Sequence, residues 1–533
     1  MTPRLRWCVL LLTTLRLFIF VTLSLSLSAL QASPTPAPES TASPLPEPAT
    51  PAIEGDPQLL IVTGLHGYIE PCGCTIDLTL GSIERLVYQI KALKQKGPTA
   101  LLIAGGHLFE HEEVPEHRRA QDEAKARLLR ELLSGLEVDA LMPHAIDLAL
   151  GEELYRSISV AHPERDPTVN IEGGQPLLLT LGALKVGVIG LGAEGAHHPN
   201  GGVLLAPLPA AKAAAALLKA QGAHVIIALS SLPRAELRAL AEALPELELV
   251  ALAEGAMEQP TLSPVGPGRY MIEAGDRGRN LAVVRLTEAT APGPLLDPLG
   301  DRARRIKDLE LRLKMRSQMG GFGGFGRAKG DSDALRQELA QLKASELTQD
   351  GKRVAYSLIP ISASLPVDVE VESKVKAYQR SLKALNLASA TGPVPLPEGG
   401  NGYGKLEECA LCHPGAKTFW EGTAHARAWE TLEKAEKTFD VECVSCHVTG
   451  FQAPGGSSLG HTEGLQDVQC EACHGPSAQH AEVGGGESGT RLKVTEQVCR
   501  GCHNELHSPK FSYADYLKKV LGPGHGAPLP VQP

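Results

Sequence analysis

From residue 58 to about 290 the chain alternates short apolar runs with amphipathic stretches. Gln58-Leu-Leu-Ile-Val-Thr63 and Thr99-Ala-Leu-Leu-Ile-Ala104 are apolar runs of strand length, and similar runs recur at 185–191, 224–229, 248–253 and 281–286. Between the first two, Ser82 to Lys96 places Ile83, Leu86, Val87, Ile90 and Leu93 at helical spacing, which predicts a helix with one apolar face. Further helices are predicted near 117–134, 208–221 and 234–244. This alternation predicts an α/β sandwich of mixed sheets.

The pattern changes after residue 297. Asp301 to Arg316 and Asp333 to Leu347 are highly charged, with leucines at helical spacing, and flank Gly320-Gly-Phe-Gly-Gly-Phe-Gly326. Two helices joined at a glycine-rich tip, spanning 299–348, are expected. The tip lacks the Gly-Lys-Ser/Thr ending of a phosphate loop. It reads as an exposed turn, with partner docking through Phe322 and Phe325 as the alternative. Tyr356 to Pro360 and a helix to about Leu387 close this half, and a Gly/Pro-rich stretch at 392–404 is the expected boundary. Beyond it, runs such as Gly484-Gly485-Gly486 predict short helices and irregular loops.

At 533 residues the chain suits roughly two to four domains. With 51 basic and 61 acidic residues, its net charge is −10, which argues against a nucleic-acid binder. The N-terminus has Arg4 and Arg6, an apolar stretch from Trp7 to Leu30 interrupted by Arg16, and small residues at Ser28, Ala29, Ala32 and Ser33. Residues 1–32 therefore read as an export signal, or an anchor helix if uncleaved. Residues 33–57, rich in Pro, Ala, Ser and Thr, read as an extended tether. The remainder is expected in the periplasm, at the membrane only if the signal is uncleaved.

Cysteine placement decides the chemistry. Of 11 cysteines, eight lie between Cys409 and Cys502, and 9 of 18 histidines lie from His413 onward. They form four C-x-x-C-H motifs: Cys409/Cys412/His413, Cys443/Cys446/His447, Cys470/Cys473/His474 and Cys499/Cys502/His503. Haem c attachment needs this spacing, because two thiols add to two vinyl groups and the adjoining imidazole reaches the iron. Zinc ribbons or four disulfides would use the cysteines but leave the four histidines unexplained. Four covalent haems c are expected. None of the six methionines lies in this region, so the second axial ligands are sought among His425, His480, His525, His461 and His507. One iron with an open position is the alternative.

This segment resembles the cytochrome c-554/c-prime family of tetrahaem cytochromes. The likeness rests on the first three motifs, on Thr423-Ala-His425-Ala-Arg427-Ala428 and on Cys473-His474-Gly-Pro with His480. It extends to the fourth motif and His525. It implies a tetrahaem domain at 405–533 that passes electrons between redox proteins, with His425 as an axial ligand.

Residues 58–391 resemble the calcineurin-like metallophosphoesterase domain of exported 5′-nucleotidases, which implies a four-layer α/β sandwich. Thr63-Gly64-Leu65-His66-Gly67 stands where that family has Asn-Asp-x-His-Gly, Ala104-Gly105-Gly106-His107 stands at its Ala-Gly-Asp, and Pro143-His144 stands at its Asn-His. The family's chemistry needs two metals bridged by a carboxylate. Gly64, Gly106 or His107, Pro143 and Ser231 occupy ligand positions here, leaving only His66 and His144. A degenerate domain for docking or sensing is expected, without a second metal. Two rivals remain: a haem enzyme acting on a small nitrogen or sulfur compound, and a working nucleotide phosphohydrolase. Cys72 and Cys74 form a C-x-C pair beside this site that reads as a disulfide, a redox dithiol or a metal site with His66.

Overall fold

The computed structural model describes residues 55–71, 80–158, 163–253, 261–319, 327–344, 351–390, 392–485, 490–491, 493–504, 507–508 and 510–522. The export signal, most of the tether, Cys72, Cys74, the glycine tip at 320–326 and His525 lie outside the described residues.

Two sheets carry the first half. β1 (Gln58–Thr63), β2 (Thr99–Ala104) and β3 (Ala140–Met142) run parallel, and β10 (Asn280–Thr287) and β11 (Arg353–Pro360) extend the sheet antiparallel, in the order β11-β10-β1-β2-β3. The second sheet has the order β4-β5-β6-β7-β9-β8, built from β4 (Leu177–Leu181), β5 (Leu184–Leu191), β6 (Val225–Ser230), β7 (Leu249–Leu252), β8 (Leu262–Gly266) and β9 (Arg269–Glu273). Its central strands are parallel and its two edge strands antiparallel.

Strand alternation assigns the layers. Leu59 and Ile61 of β1 join Val186, Val188, Ile227 and Leu229 in a core between the sheets. Leu60 and Val62, one residue out of step, join a core under the helices α1 (Ile83–Lys94), α2 (Glu116–Ser134), α3 (Glu152–Ile158) and a later helix described below. On the far side, Ile226, Ala228 and Val250 pack against α4 (Pro207–Ala220) and α5 (Arg234–Ala243). The result is the expected four-layer helix–sheet–sheet–helix sandwich. The short strands β3, β4, β8 and β9 carry weak sequence signals. β3 has three residues, and β8 contains Pro264 and Gly266.

α6 (Pro298–Met319) and α7 (Arg327–Ala344) pair side by side through Arg305–Glu338 and Lys343–Glu310 contacts. α8 (Val369–Ser389), capped by Asp368, packs on α2 and contributes Val371 and Val375 to the helix-side core.

From residue 402 the architecture is different. α9 (Leu406–Cys412), α10 (Pro414–Glu421), α11 (Ala428–Lys434), α12 (Val441–His447), α13 (Cys470–His474), α14 (Ala478–Glu482), α15 (Glu496–Arg500) and α16 (Tyr513–Val520) are each five to eight residues long. Their described apolar core is Leu432, Val441, Val444, Val448 and Leu459. That is little for a segment of this length, so packing must rest on something besides side chains. The chain is multi-domain in architecture: an α/β sandwich followed by a helical, loop-rich region. Among the described residues no helix is long and apolar enough to cross a membrane.

Candidate functional site

The four C-x-x-C-H motifs fall on or beside short helices. Cys409 and Cys412 lie in α9, with His413 capping it; α12 carries Cys443, Cys446 and His447; α13 is the third motif itself; Cys499 lies in α15, with Cys502 and His503 just beyond. A helical turn is what brings residues three apart to one face. The eight cysteines form no disulfide. Thiols of different motifs meet: Cys409 hydrogen-bonds Cys470, and Cys446 hydrogen-bonds Cys502. Each bond pulls one partner down, Cys470 and Cys446, and pushes the other up.

Three motif histidines have their Nδ1 engaged. His447 Nδ1 donates to the Ala428 carbonyl at 2.6 Å and His474 Nδ1 to the Arg491 carbonyl at 2.7 Å. His503 Nδ1 lies 3.0 Å from the Ser508 hydroxyl. A carbonyl can only accept, so at His447 and His474 the proton sits on Nδ1 and Nε2 is left as a lone-pair donor. That is the arrangement metal-ligating histidines adopt.

Two imidazole pairs are the sharpest feature. His413 and His480 stand 6.4 Å apart between ring centres, with planes 16° apart, and His425 and His503 stand 6.2 Å apart. Two imidazoles bonded to one metal at about 2 Å, with ring centres roughly 1 Å further back, stand about 6 Å apart. The spacing is one at which both rings could serve a single ion, and the residues fit haem on this test. Burial, and then His503, lower the pKa of His425, which favours the neutral imidazole a metal needs. Glu471 supports the first pair by accepting from the backbone N–H groups of Gly404 at 3.0 Å and Ser477 at 2.7 Å, which sets α14 and His480 beside α9. Val468 N–H donates to the His425 carbonyl at 3.1 Å and supports the second.

His507 is partly buried within electrostatic reach of His447, Glu110, Glu442 and Arg277, and burial lowers its pKa. His461 is exposed in a turn bridged to Ser458.

At the strand ends where the sequence resemblance expects metal ligands, side chains fill the space. The ends of β1, β2 and β3 bring His66, His107 and His144 to one edge. His107 is fully buried with Nδ1 2.9 Å from Asp147 Oδ2, and Asp147 also accepts from the N–H groups of His107 and Leu108. Burial opposes its charge, but His107 and these donors hold its carboxyl below the usual range. His144 Nδ1 accepts from Ile146 N–H at 3.3 Å as a helix cap. A Cβ at Gly64 would sit 2.7 Å from His66 Nε2, and one at Gly106 would sit 2.2 Å from Ile146 and 3.3 Å from His66 Nδ1. The His66 ring and Ile146 thus crowd the space that carboxylates at 64 and 106 would use. Among the described residues no three His, Cys, Asp or Glu side chains could hold a metal. A two-metal centre does not fit.

The sequence pattern missed the junction between the two regions. α2 carries Arg118, Gln121, Asp122 and Lys125 toward the start of α12. Gln121 Nε2 donates to Asp440 at 2.7 Å, Arg118 to Glu442 at 2.8 Å and Lys125 to Glu442 at 2.6 Å. Asn386 of α8 donates to Gln121 and to the Phe439 carbonyl, both at 2.7 Å, and Lys437 pairs with Glu70 at 2.7 Å. The available signal was a helix start without large apolar residues, Glu116 to Lys125. Helices polar all round tend to bridge domains.

Residues 408–475 match the family described as Cytochrome c554 and c-prime, which implies covalently bound haem c. Cytochrome c-554 of Nitrosomonas europaea is 30% identical over 149 residues, covering 24% of this chain and 63% of its own length. The chain thus spans under two thirds of that relative. Among solved structures, the 5′-nucleotidase precursor of Thermus thermophilus is similar with a TM-score of 0.41 and 16% identity, over 64% of this chain and 61% of that one. The sulfate thiohydrolase SoxB of the same organism is similar with a TM-score of 0.43 and 14% identity, over 78% and 74%.

Proposed function

We propose that the chain is an exported electron-transfer protein carrying four covalent haems c on residues 405–533, joined through 392–404 to a sandwich at 58–391 that no longer hydrolyses phosphate esters. Residues 1–32 would direct export and 33–57 would act as a tether. The observation that carries the reading is the pair of imidazole couples at 6.4 and 6.2 Å, each joining a motif histidine to a distant one.

In this reading the cysteine pairs hold the haems, His413 with His480 and His503 with His425 provide two iron ligand sets, and His507 is the candidate partner of His447. Bound haem supplies reversible one-electron chemistry at iron. The chain's own residues hold the His447 and His474 imidazoles in the ligating tautomer and bring the attachments together in pairs, first with third and second with fourth, as the Cys409–Cys470 and Cys446–Cys502 contacts indicate. Donor and acceptor would be redox proteins.

A redox titration followed by electron paramagnetic resonance tests this. Four haems by pyridine haemochrome, with low-spin ferric signals, are expected; another count overturns the reading. Ligand assignment has its own check. His480→Ala and His425→Ala should each convert one haem of four to high spin in the ferric spectrum. His461→Ala should leave all four unchanged, and the reverse pattern would reject the pairing.

A further inference from the structure

We infer that the sandwich sets the reduction potential of one particular haem, the one attached through Cys443 and Cys446, by means of an ionic cluster at the junction of α2 with the start of α12. This rests on the haem reading of the C-x-x-C-H motifs and gives the sandwich a role beyond docking.

Hydrogen bonds between the sandwich and the Lys437–Glu442 segment, given from both sides, converge on the stretch that leads directly into Cys443. The geometry is built. Gln121 is 1% exposed and holds Asp440 with Nε2 while its Oε1 accepts from Val441 N–H at 3.2 Å. Asp440 in turn caps α12 by accepting from Glu442 N–H at 3.1 Å. Lys125, with 7% of its side chain exposed, and Arg118, with 16%, both grip Glu442, which keeps 33%. Asp122 of α2 lies beside both cations, 3.3 Å from Arg118 and 4.0 Å from Lys125.

This field reaches the attachment site. The Cys443 thiol is pushed up by burial first, then by Asp440, with Glu442 and Glu70 acting in the same sense and Lys437 against them. Charges that act on the sulfur act also on the group bonded to it. Reduction adds one electron to that group, so a neighbouring cation favours the reduced state and a neighbouring anion opposes it. At separations near 10 Å and an effective dielectric of about 20, one unit charge changes the reduced-to-oxidised ratio roughly tenfold or more. A tenfold change for one electron is about 59 mV. The effect is greatest at this haem because the cluster abuts α12 and leads directly into Cys443.

The test uses the full-length haem-loaded protein. Redox titrations resolved by haem should show one of four midpoint potentials lowered in Lys125→Met and raised in Glu442→Gln, each by roughly tenfold in the reduced-to-oxidised ratio, with the other three moved clearly less. Lys125→Arg, which keeps the charge, should restore the wild-type value. Opposite signs from two neighbouring substitutions are not what simple loosening of the junction produces. Unchanged potentials, equal shifts of all four haems, or shifts of one sign would overturn the inference. Should Lys125→Met fail to fold, the near-isosteric Glu442→Gln still decides it by sign and selectivity. A wild-type haem count other than four would instead overturn the underlying haem reading, so the two failures are distinguishable.

Discussion

A chain carrying Cys470→Ala and Cys473→Ala is expected to bind three haems instead of four and to lose the folded state of the segment that follows Tyr403. The reason is the smallness of the side-chain core there, a cluster of five buried apolar residues among the described ones. An ordinary domain has a net stability of about 5–15 kcal/mol, a small difference between large burial and entropy terms. On the proposed reading, removing one of four large apolar cofactors from so slight a core would take away an amount comparable with the whole. The third motif also ties separate segments together. Its Glu471 holds the backbone at Gly404 and Ser477, His474 holds Arg491, and Cys470 meets Cys409. Pyridine haemochrome counting with a far-ultraviolet circular dichroism melt checks the result. Three haems with an unchanged melt would show that the cofactor is not the core.

Returning aspartates to the cleft is expected to destabilise the sandwich and to restore no hydrolysis. Gly106→Asp drives a Cβ to 2.2 Å from the Ile146 side chain, and Gly64→Asp drives one to 2.7 Å from His66 Nε2. Gly64 also has φ of 49°, in the left-handed region that disfavours a side chain. Overpacking of this kind costs about 1–3 kcal/mol per site. The double variant should therefore melt well below wild type. Neither protein should release phosphate from nucleotides with manganese, zinc or calcium. Metal-dependent release from wild type would sink the non-hydrolytic reading, and release from the double variant would show that the cleft can reopen.

The legible and illegible features divide by distance along the chain. Strands such as Gln58–Thr63 were visible because apolar runs and helical spacing are local patterns. The edge hairpin of β8 and β9 was not, because Pro264 and Gly266 interrupt the pattern and pairing across the hairpin supplies the order. In the cleft, Gly64 and Gly106 already showed that carboxylates were missing. Only coordinates showed that His66 and Ile146 crowd the vacated space. Five spare histidines were candidates by type, and the resemblance singled out His425 as an axial ligand. The structure pairs His480 and His425 with motif histidines and leaves His461 exposed in a turn, while His525 lies outside the described residues.

What the sequence by itself determined is the set of four C-x-x-C-H motifs offered for attachment. Two cysteines and a histidine within five positions form one local turn, and no distant residue is needed to read them. What only tertiary structure decided is the environment of those groups. His413 meets His480, and Glu442 meets Arg118 from 324 positions away. Such contacts arise because buried charges must find partners wherever the fold brings them. The polar start of α2 is therefore a junction with the second haem motif, and no local pattern along the chain names that partner.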